Sequence, residues 1–151
     1  MLLAVALASG CREKSYVRPQ IVDATEFAMY SVRTEPDETH QIAVTAPDGS
    51  AWHREEVPGL NLRHIELKEV YSVVDADGGG IVVVPVQPQF YGALASWSRA
   101  RMGNSLIFVF KGRPIGRVIE IVHEFSGPVG VRFSSEQPVV DLAGALNEYA
   151  E

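Results

Sequence analysis

The chain has 151 residues, with 13 Lys and Arg against 19 Asp and Glu for a formal net charge of −6, and 46% of it is hydrophobic. Its basic residues are scattered rather than clustered, which argues against a phosphate-tracking nucleic-acid surface. The apolar content suffices for the core of one domain, and no stretch reaches the roughly 18 uninterrupted apolar residues that span a bilayer.

Residues 2 to 8, LLAVALA, are uncharged and apolar, and the small residues Ala8, Ser9 and Gly10 lead into Cys11, the only cysteine. A lone cysteine can neither close an intramolecular disulfide nor complete an all-cysteine metal site. The pattern resembles a bacterial lipobox, in which the leader is removed and a lipid is attached to the cysteine. No Lys or Arg precedes the apolar run, and Ala8 stands where the lipobox usually has Leu. The competing reading is an apolar first helix with a buried cysteine, which Arg12, Glu13 and Lys14 cut short. On the lipobox reading, residues 1–10 are a lipoprotein-type signal peptide and Cys11 is the lipidation site. Residues 11–20, polar and containing Pro19, are a tether, and residues 21–151 form a single domain. The expected location is extracytoplasmic, in a bacterial cell envelope, with membrane contact through the lipid anchor only.

FAMYSVRT, residues 27–34, is rich in β-formers and is followed by the polar loop EPDETH. QIAVTAPDGSAWHREE sets the turn-forming PDGS between two short apolar segments, which predicts a hairpin. LKEVYSVVD and IVVVPVQ are β-branched runs around ADGGG, whose glycines allow the tight reversal of a further hairpin. Pro88 suits a first helical position, and Phe90, Leu94 and Trp97 follow at helical spacing, which predicts a helix over 88–102 stopped by Gly103. SLIFVF and PIGRVIEIV flank KGR as another hairpin, and strands apolar on both faces belong in the middle of a sheet. VGVRF is a last short strand. Ser134 with Gln137 reads as the capping box of a closing helix, whose buried stripe is Val139, Leu142, Ala143 and Leu146 and whose end is near Tyr149. Tight turns make the strands antiparallel, and two one-sided helices need a common surface. The expected fold is α+β: an antiparallel sheet with two helices on one face, a ββαββα core forming a ferredoxin-like layer, plus an N-terminal strand pair.

The four histidines, His40, His53, His64 and His123, lack the i, i+4 pairing of metal sites, so no metal is expected. His53 stands beside Glu55 and Glu56, and His123 beside Glu120 and Glu124. Such pairs can do acid-base chemistry but are common on solvated strand edges. DADGGG, residues 75–80, begins like a calcium loop, yet Val86 occupies the position that needs a bidentate Glu, so a turn is expected. Neither a nucleotide-binding glycine motif nor GxSxG occurs. These readings predict no cofactor and no catalytic residue. The helical spacing of Phe90 and Trp97 assigns them to the core, which leaves Trp52 and Tyr91 as the candidate binding surface. Arg99, Arg101, Arg113 and Arg117 read as solvating charge.

From Leu60 onward, IELKEVYSVVDADGGGIVVVPV, a helix, and GNSLIFVFKGRPIGRVIEIVHEFSGPVGVRFSSEQPVVDLAGAL resemble the head part of the first periplasmic domain of SecD, the accessory subunit of bacterial protein export. The most specific portion is KGRPIGRVIEIV, a Gly-containing turn, and VRFSSEQPVVDLAGAL. In the family an equivalent run carries a Lys-Gly or Asp-Gly turn, a proline-bearing return strand and a closing helix. The start, from Phe27 to Glu56, is similar to the strand pair that precedes this head in related lipoproteins. The shared positions are apolar and turn positions, so the resemblance speaks for fold more than for function. SecD couples a proton gradient to late preprotein movement, for which this chain shows no spanning segment. What the resemblance implies is contact with an extracytoplasmic polypeptide or an envelope protein, by a non-catalytic domain with a link to protein export. The alternatives are a lipoprotein that binds a small molecule or an envelope polymer, and a hydrolase built on a His-Glu pair.

Overall fold

The computed structural model describes residues 23–150. The leader, Cys11 and the tether over 11–20 lie outside the described residues.

Asp23 accepts a hydrogen bond from the Thr25 N–H and caps a 3-10 turn at Ala24–Glu26, which feeds β1 (Phe27–Arg33). The first hairpin is β2 (His40–Thr45) and β3 (Ala51–Glu55), followed by the short β4 (Leu60–Asn61). The next hairpin is β5 (Tyr71–Val74) and β6 (Gly80–Val84), with DADGG as its turn. A 3-10 turn at Pro88–Phe90 runs into α1 (Tyr91–Arg99). The hairpin of β7 (Ser105–Phe110) and β8 (Arg113–Glu120), then β9 (Val129–Phe133) and α2 (Glu136–Glu148), complete the described chain. Among these residues no helix is long and apolar enough to cross a membrane.

The class is α+β, and each predicted hairpin is present, but the strands divide into two antiparallel sheets instead of one layer. The larger runs β2-β3-β1-β7-β8 with β4 also paired to β1, and the smaller runs β5-β6-β9. The cause lies in β1, where six of seven residues are buried. A strand buried on both faces is a central one. β1 therefore takes β3 on one side and β7 on the other, in a register running from Phe27↔Phe110 to Val32↔Ser105. The N-terminal segment, expected as an appended strand pair, thus supplies the central strand β1 of the larger sheet, and the β7–β8 hairpin is drawn away from β5–β6.

β8 is not central, contrary to its apolar sequence; it forms the edge of the larger sheet. Pro114 has no N–H to give a further strand. The register slips between Leu106 and Phe108, and Gly116 in the slipped segment has φ +70°, so β8 bends out of line. Its bend meets the smaller sheet: a Cβ on Gly116 would lie 2.8 Å from Val131 Cγ1. The KGR turn matches its sequence, since Lys111 and Gly112 have φ of 51° and 81°, the left-handed pair that a two-residue hairpin loop requires.

The main core fills the space between the sheets and helices. Phe27 and Met29 from β1 and Leu106 and Phe108 from β7 meet Val82, Val84 and Val131, with Leu94 of α1 and the α2 stripe of Val139, Leu142, Ala143 and Leu146. That stripe is the predicted one. The predicted cap is not: Ser135 is the N-cap, it makes no side-chain capping bond, and Gln137 Nε2 donates to Asp141 Oδ1 at 2.8 Å. The α-helical part of the first helix is also shorter than 88–102, because its last turn loosens after Arg99. Phe90 and Trp97 are partly buried against the core, as their spacing implied. On the opposite face of β1 and β7, Ala28, Tyr30, Val32 and Ile107 form a second cluster with Ala46, partly covered by Val44, Trp52, Val109 and Val118. The cover here comes in part from the β2–β3 hairpin, through Val44, Trp52 and Ala46.

Candidate functional site

Ala46, at the tip of the β2–β3 hairpin, packs into the same cluster as Val118 of β8. Below this contact the two edges of the sheet stay apart, and a groove of about 620 Å³ opens between β2 and the β7–β8 turn. Its walls include Tyr30, Ile42, Val44, Arg54, Val109 and Lys111. The Arg54 guanidinium lies 4.0 Å above the Tyr30 ring centroid, where the ring's negative face stabilises the cation. Asp23 and Glu26 supply negative charge to the same groove. The Thr25 hydroxyl (2.6 Å) and then the Thr25 N–H (3.0 Å) hold the Asp23 carboxyl below the usual carboxylate range. Tyr149, at the end of α2, donates its hydroxyl to Glu26. Burial first, then this bond and neighbouring negative charge, push the Tyr149 phenol up to about 12.

The backbone of β2 adds unsatisfied polar groups. The Ala46 N–H donates to Ser50 O at 2.9 Å, which sets the phase of the β2–β3 ladder. With antiparallel alternation, Ala43 and Thr45 then direct their N–H and C=O away from β3, and Ala43 lines the groove. The site therefore offers an open strand edge beside a mixed surface of apolar side chains and charges of both signs.

A buried polar network fixes the start of β2. His40 is 3% exposed; its Nε2 lies 2.9 Å from Ser31 Oγ and 3.3 Å from Glu55 Oε2, and its Nδ1 lies 3.0 Å from Asp37 Oδ1. Arg101 holds Glu55 with two hydrogen bonds of 2.6 and 2.9 Å and sits 4.7 Å over the Trp97 ring centroid. Burial opposes the charged form of Asp37, but bonds from the side chain of His40, the backbone of Thr39 and His40, and the Thr39 hydroxyl outweigh it and hold the carboxyl far below its ordinary value. Ser31, His40 and Asp37 follow the order of a nucleophilic triad, yet Ser31 is fully buried and presents no oxygen to a substrate. The network ties β1, β2, β3 and the end of α1 together, as fully satisfied buried polar groups do.

The predicted site residues are not brought together. Trp52 packs on the second cluster, with its Nε1 donating to Ser50 Oγ at 2.8 Å, whereas Tyr91 opens α1 and packs on the main core across the sheet. His53 has a buried Nδ1 without a partner and no bond to Glu55 or Glu56, and the His123 ring reaches only the Glu124 carbonyl, at 3.3 Å. The His that does pair with glutamate is His40. Its partner lies in another strand, and no local spacing announced it. His64 accepts from the Asn61 N–H at 3.0 Å, and burial, then Arg63, lower its pKa. Arg99 and Arg101 are each paired with a glutamate, Glu124 and Glu55. Among the described residues no group of three His, Cys, Asp or Glu is arranged to hold a metal.

Two antiparallel sheets and two helices define the architecture of this α+β domain. Two solved structures share this fold. One is of SecDF, described as a membrane component that enhances protein export: TM-score 0.56 and 16% identity, with 80% of this chain and 62% of that one covered. The other is of SecDF in a super-membrane-facing form: TM-score 0.56 and 15% identity, with 80% of this chain and 18% of that one covered. At these identities the likeness is one of fold, the fold that the resemblance in the sequence implied. No family profile matches the chain, and no curated protein does.

Proposed function

We propose that this protein is an extracytoplasmic, non-catalytic domain, held on a bacterial membrane by a lipid on Cys11, that binds extended polypeptide in connection with protein export. The observation that carries this reading is the free β2 edge above a 620 Å³ groove, in a fold shared with SecDF. An incoming strand pairs with the backbone of Ala43 and Thr45 while every second side chain meets the floor of Tyr30, Val44 and Val109. Main-chain pairing needs no special side chains in the partner, so binding is tolerant of sequence and weak, and the site leaves no motif in the chain. The fully buried Ser31 supports a non-catalytic role for the Ser31–His40–Asp37 arrangement.

Titrating an amide spectrum of the protein with an unfolded preprotein tests the reading. Shifts along β2, centred on Ala43 and Thr45, are expected. No shift at millimolar polypeptide would sink it, and a response only to small solutes would favour a small-molecule site in the same groove. The anchor has its own test: labelled fatty acid enters the wild-type protein, and Cys11→Ser abolishes incorporation and releases the chain from membranes. Equal labelling of the variant removes the lipoprotein reading.

A further inference from the structure

The smaller sheet carries a second open edge, of different chemistry. β5 pairs with β6 on one side only, and all four of its residues, Tyr71, Ser72, Val73 and Val74, are exposed. The Asp75 N–H donates to Gly79 O at 2.7 Å, so the alternation turns the N–H and C=O of Ser72 and Val74 outward, away from β6. A Cβ on Gly80 would meet Val139 Cγ2 at 3.1 Å, which places Gly80, Val82 and Val84 on the face toward α2. Ile81 and Val83 are therefore on the other face, in register with Val73 and Tyr71. Tyr71 is 54% and Val73 47% exposed there. The adjoining Gly130 leaves room for Ile81, whose Cδ1 would lie 2.4 Å from a Cβ at that position. The result is an apolar strip, Tyr71, Val73, Ile81 and Val83, running to an unpaired strand edge.

Edges of this kind are normally blunted by lysine or proline. β5 has neither, and carboxylates stand at both ends: Glu66 and Glu69 before it, Asp75 and Asp77 after it. The cations beside these are Lys68 and Arg132, whose Nη1 lies 3.6 Å from Asp75 Oδ2. Four carboxylates against two cations leave the bracket acidic. That charge decides the occupant. A second copy pairing antiparallel through β5, with the apolar faces on one side, sets Tyr71 opposite Val73 or Val73 opposite itself. Either register brings the acidic flank of one copy, Glu66 and Glu69, toward Asp75 and Asp77 of the other, like charge toward like charge. A foreign strand with basic ends meets attraction at both.

We propose that β5 is a strand-addition site for a partner protein's extended segment that alternates apolar residues between Lys or Arg brackets. This surface is separate from the β2 groove, so either site can fail without the other.

The probe is the synthetic peptide Lys-Lys-Thr-Val-Thr-Val-Thr-Val-Lys-Lys, added to the full-length chain and followed by amide spectra. Shifts at Ser72 and Val74 are expected, together with affinity about tenfold weaker for the same peptide bracketed by Glu. Val73→Lys, at an exposed position, abolishes the shifts with the rest of the spectrum unchanged. The pair Glu69→Lys with Asp75→Lys reverses the preference toward the Glu-bracketed peptide. Equal affinity for both peptides overturns the proposal, as do shifts confined to Ala43 and Thr45. So does a β5 response to protein concentration alone, with sedimentation at twice the monomer mass, which would make a second copy the occupant.

Discussion

Leu146→Ala probes how α2 seats on the smaller sheet. Leu146 is fully buried, in line with Val139, Leu142 and Ala143 along the helix face that closes the core. Truncation removes three carbons, about 2.4 kcal/mol at about 0.8 kcal/mol per buried methylene. The neighbours collapse only partly into the space left behind, and the residual cavity brings the expected loss to about 3 to 4 kcal/mol. Val140→Ala is the control: Val140 lies on the same helix but is 49% exposed. Its lost contacts are offset by the better helix propensity of alanine, so its effect stays within about 0.5 kcal/mol. Urea titrations of both variants, compared at a common m-value, read the difference directly. Similar losses for the two, or a Leu146→Ala loss below about 1 kcal/mol, would refute the assigned helix face.

Gly116→Ala introduces a Cβ 2.8 Å from Val131 Cγ1 at a residue with φ +70°, so it costs about 1 to 3 kcal/mol from backbone conformation alone, with a further loss from the contact. Thermal unfolding checks this, and a neutral outcome would mean that β8 does not lean on β9 as described. Tyr149→Phe tests the Glu26 bond through pH. The phenol is raised from 10.0 to about 12, so its stabilising contribution is complete below pH 10 and disappears as pH rises through about 12. The wild type is therefore the more stable protein at neutral pH, and the gap closes in alkali. A gap that stays constant to pH 12 would remove the linkage.

Legibility in the sequence followed the range of the interactions. The β7–β8 turn could be read because Lys111 and Gly112 carry its conformation within two residues, and the α2 stripe because Val139, Leu142, Ala143 and Leu146 repeat along one element. The division into two sheets could not. It depends on β1 choosing β7 as a partner, a pairing set by burial on both faces and not by any local signal. β8 shows the opposite trap: its apolar residues suggested a central strand, while Pro114 and the bend at Gly116 set it at the edge. Tyr30, Arg54, Val109 and Lys111 reach the groove from β1, β3, β7 and the β7–β8 turn, so they had no common motif. Trp52 and Tyr91 were singled out as exposed aromatics, yet each ring had a core to pack on, one on either side of the larger sheet.

The pairing of β1 with β7 also sets an order of events in folding. Phe27 finds its register opposite Phe110, with both hairpins of the first half and α1 in between. Local hairpins close in microseconds, but a contact across so long a loop must wait for the intervening chain and bear its closure entropy. A polypeptide made from its N-terminus therefore carries β1, the most fully buried of the described strands, without its second partner until β7 arrives. Until then FAMYSV is a β-prone segment of low charge with one edge unpaired, the kind that associates with other chains. That edge stays open for the time it takes to reach residue 110.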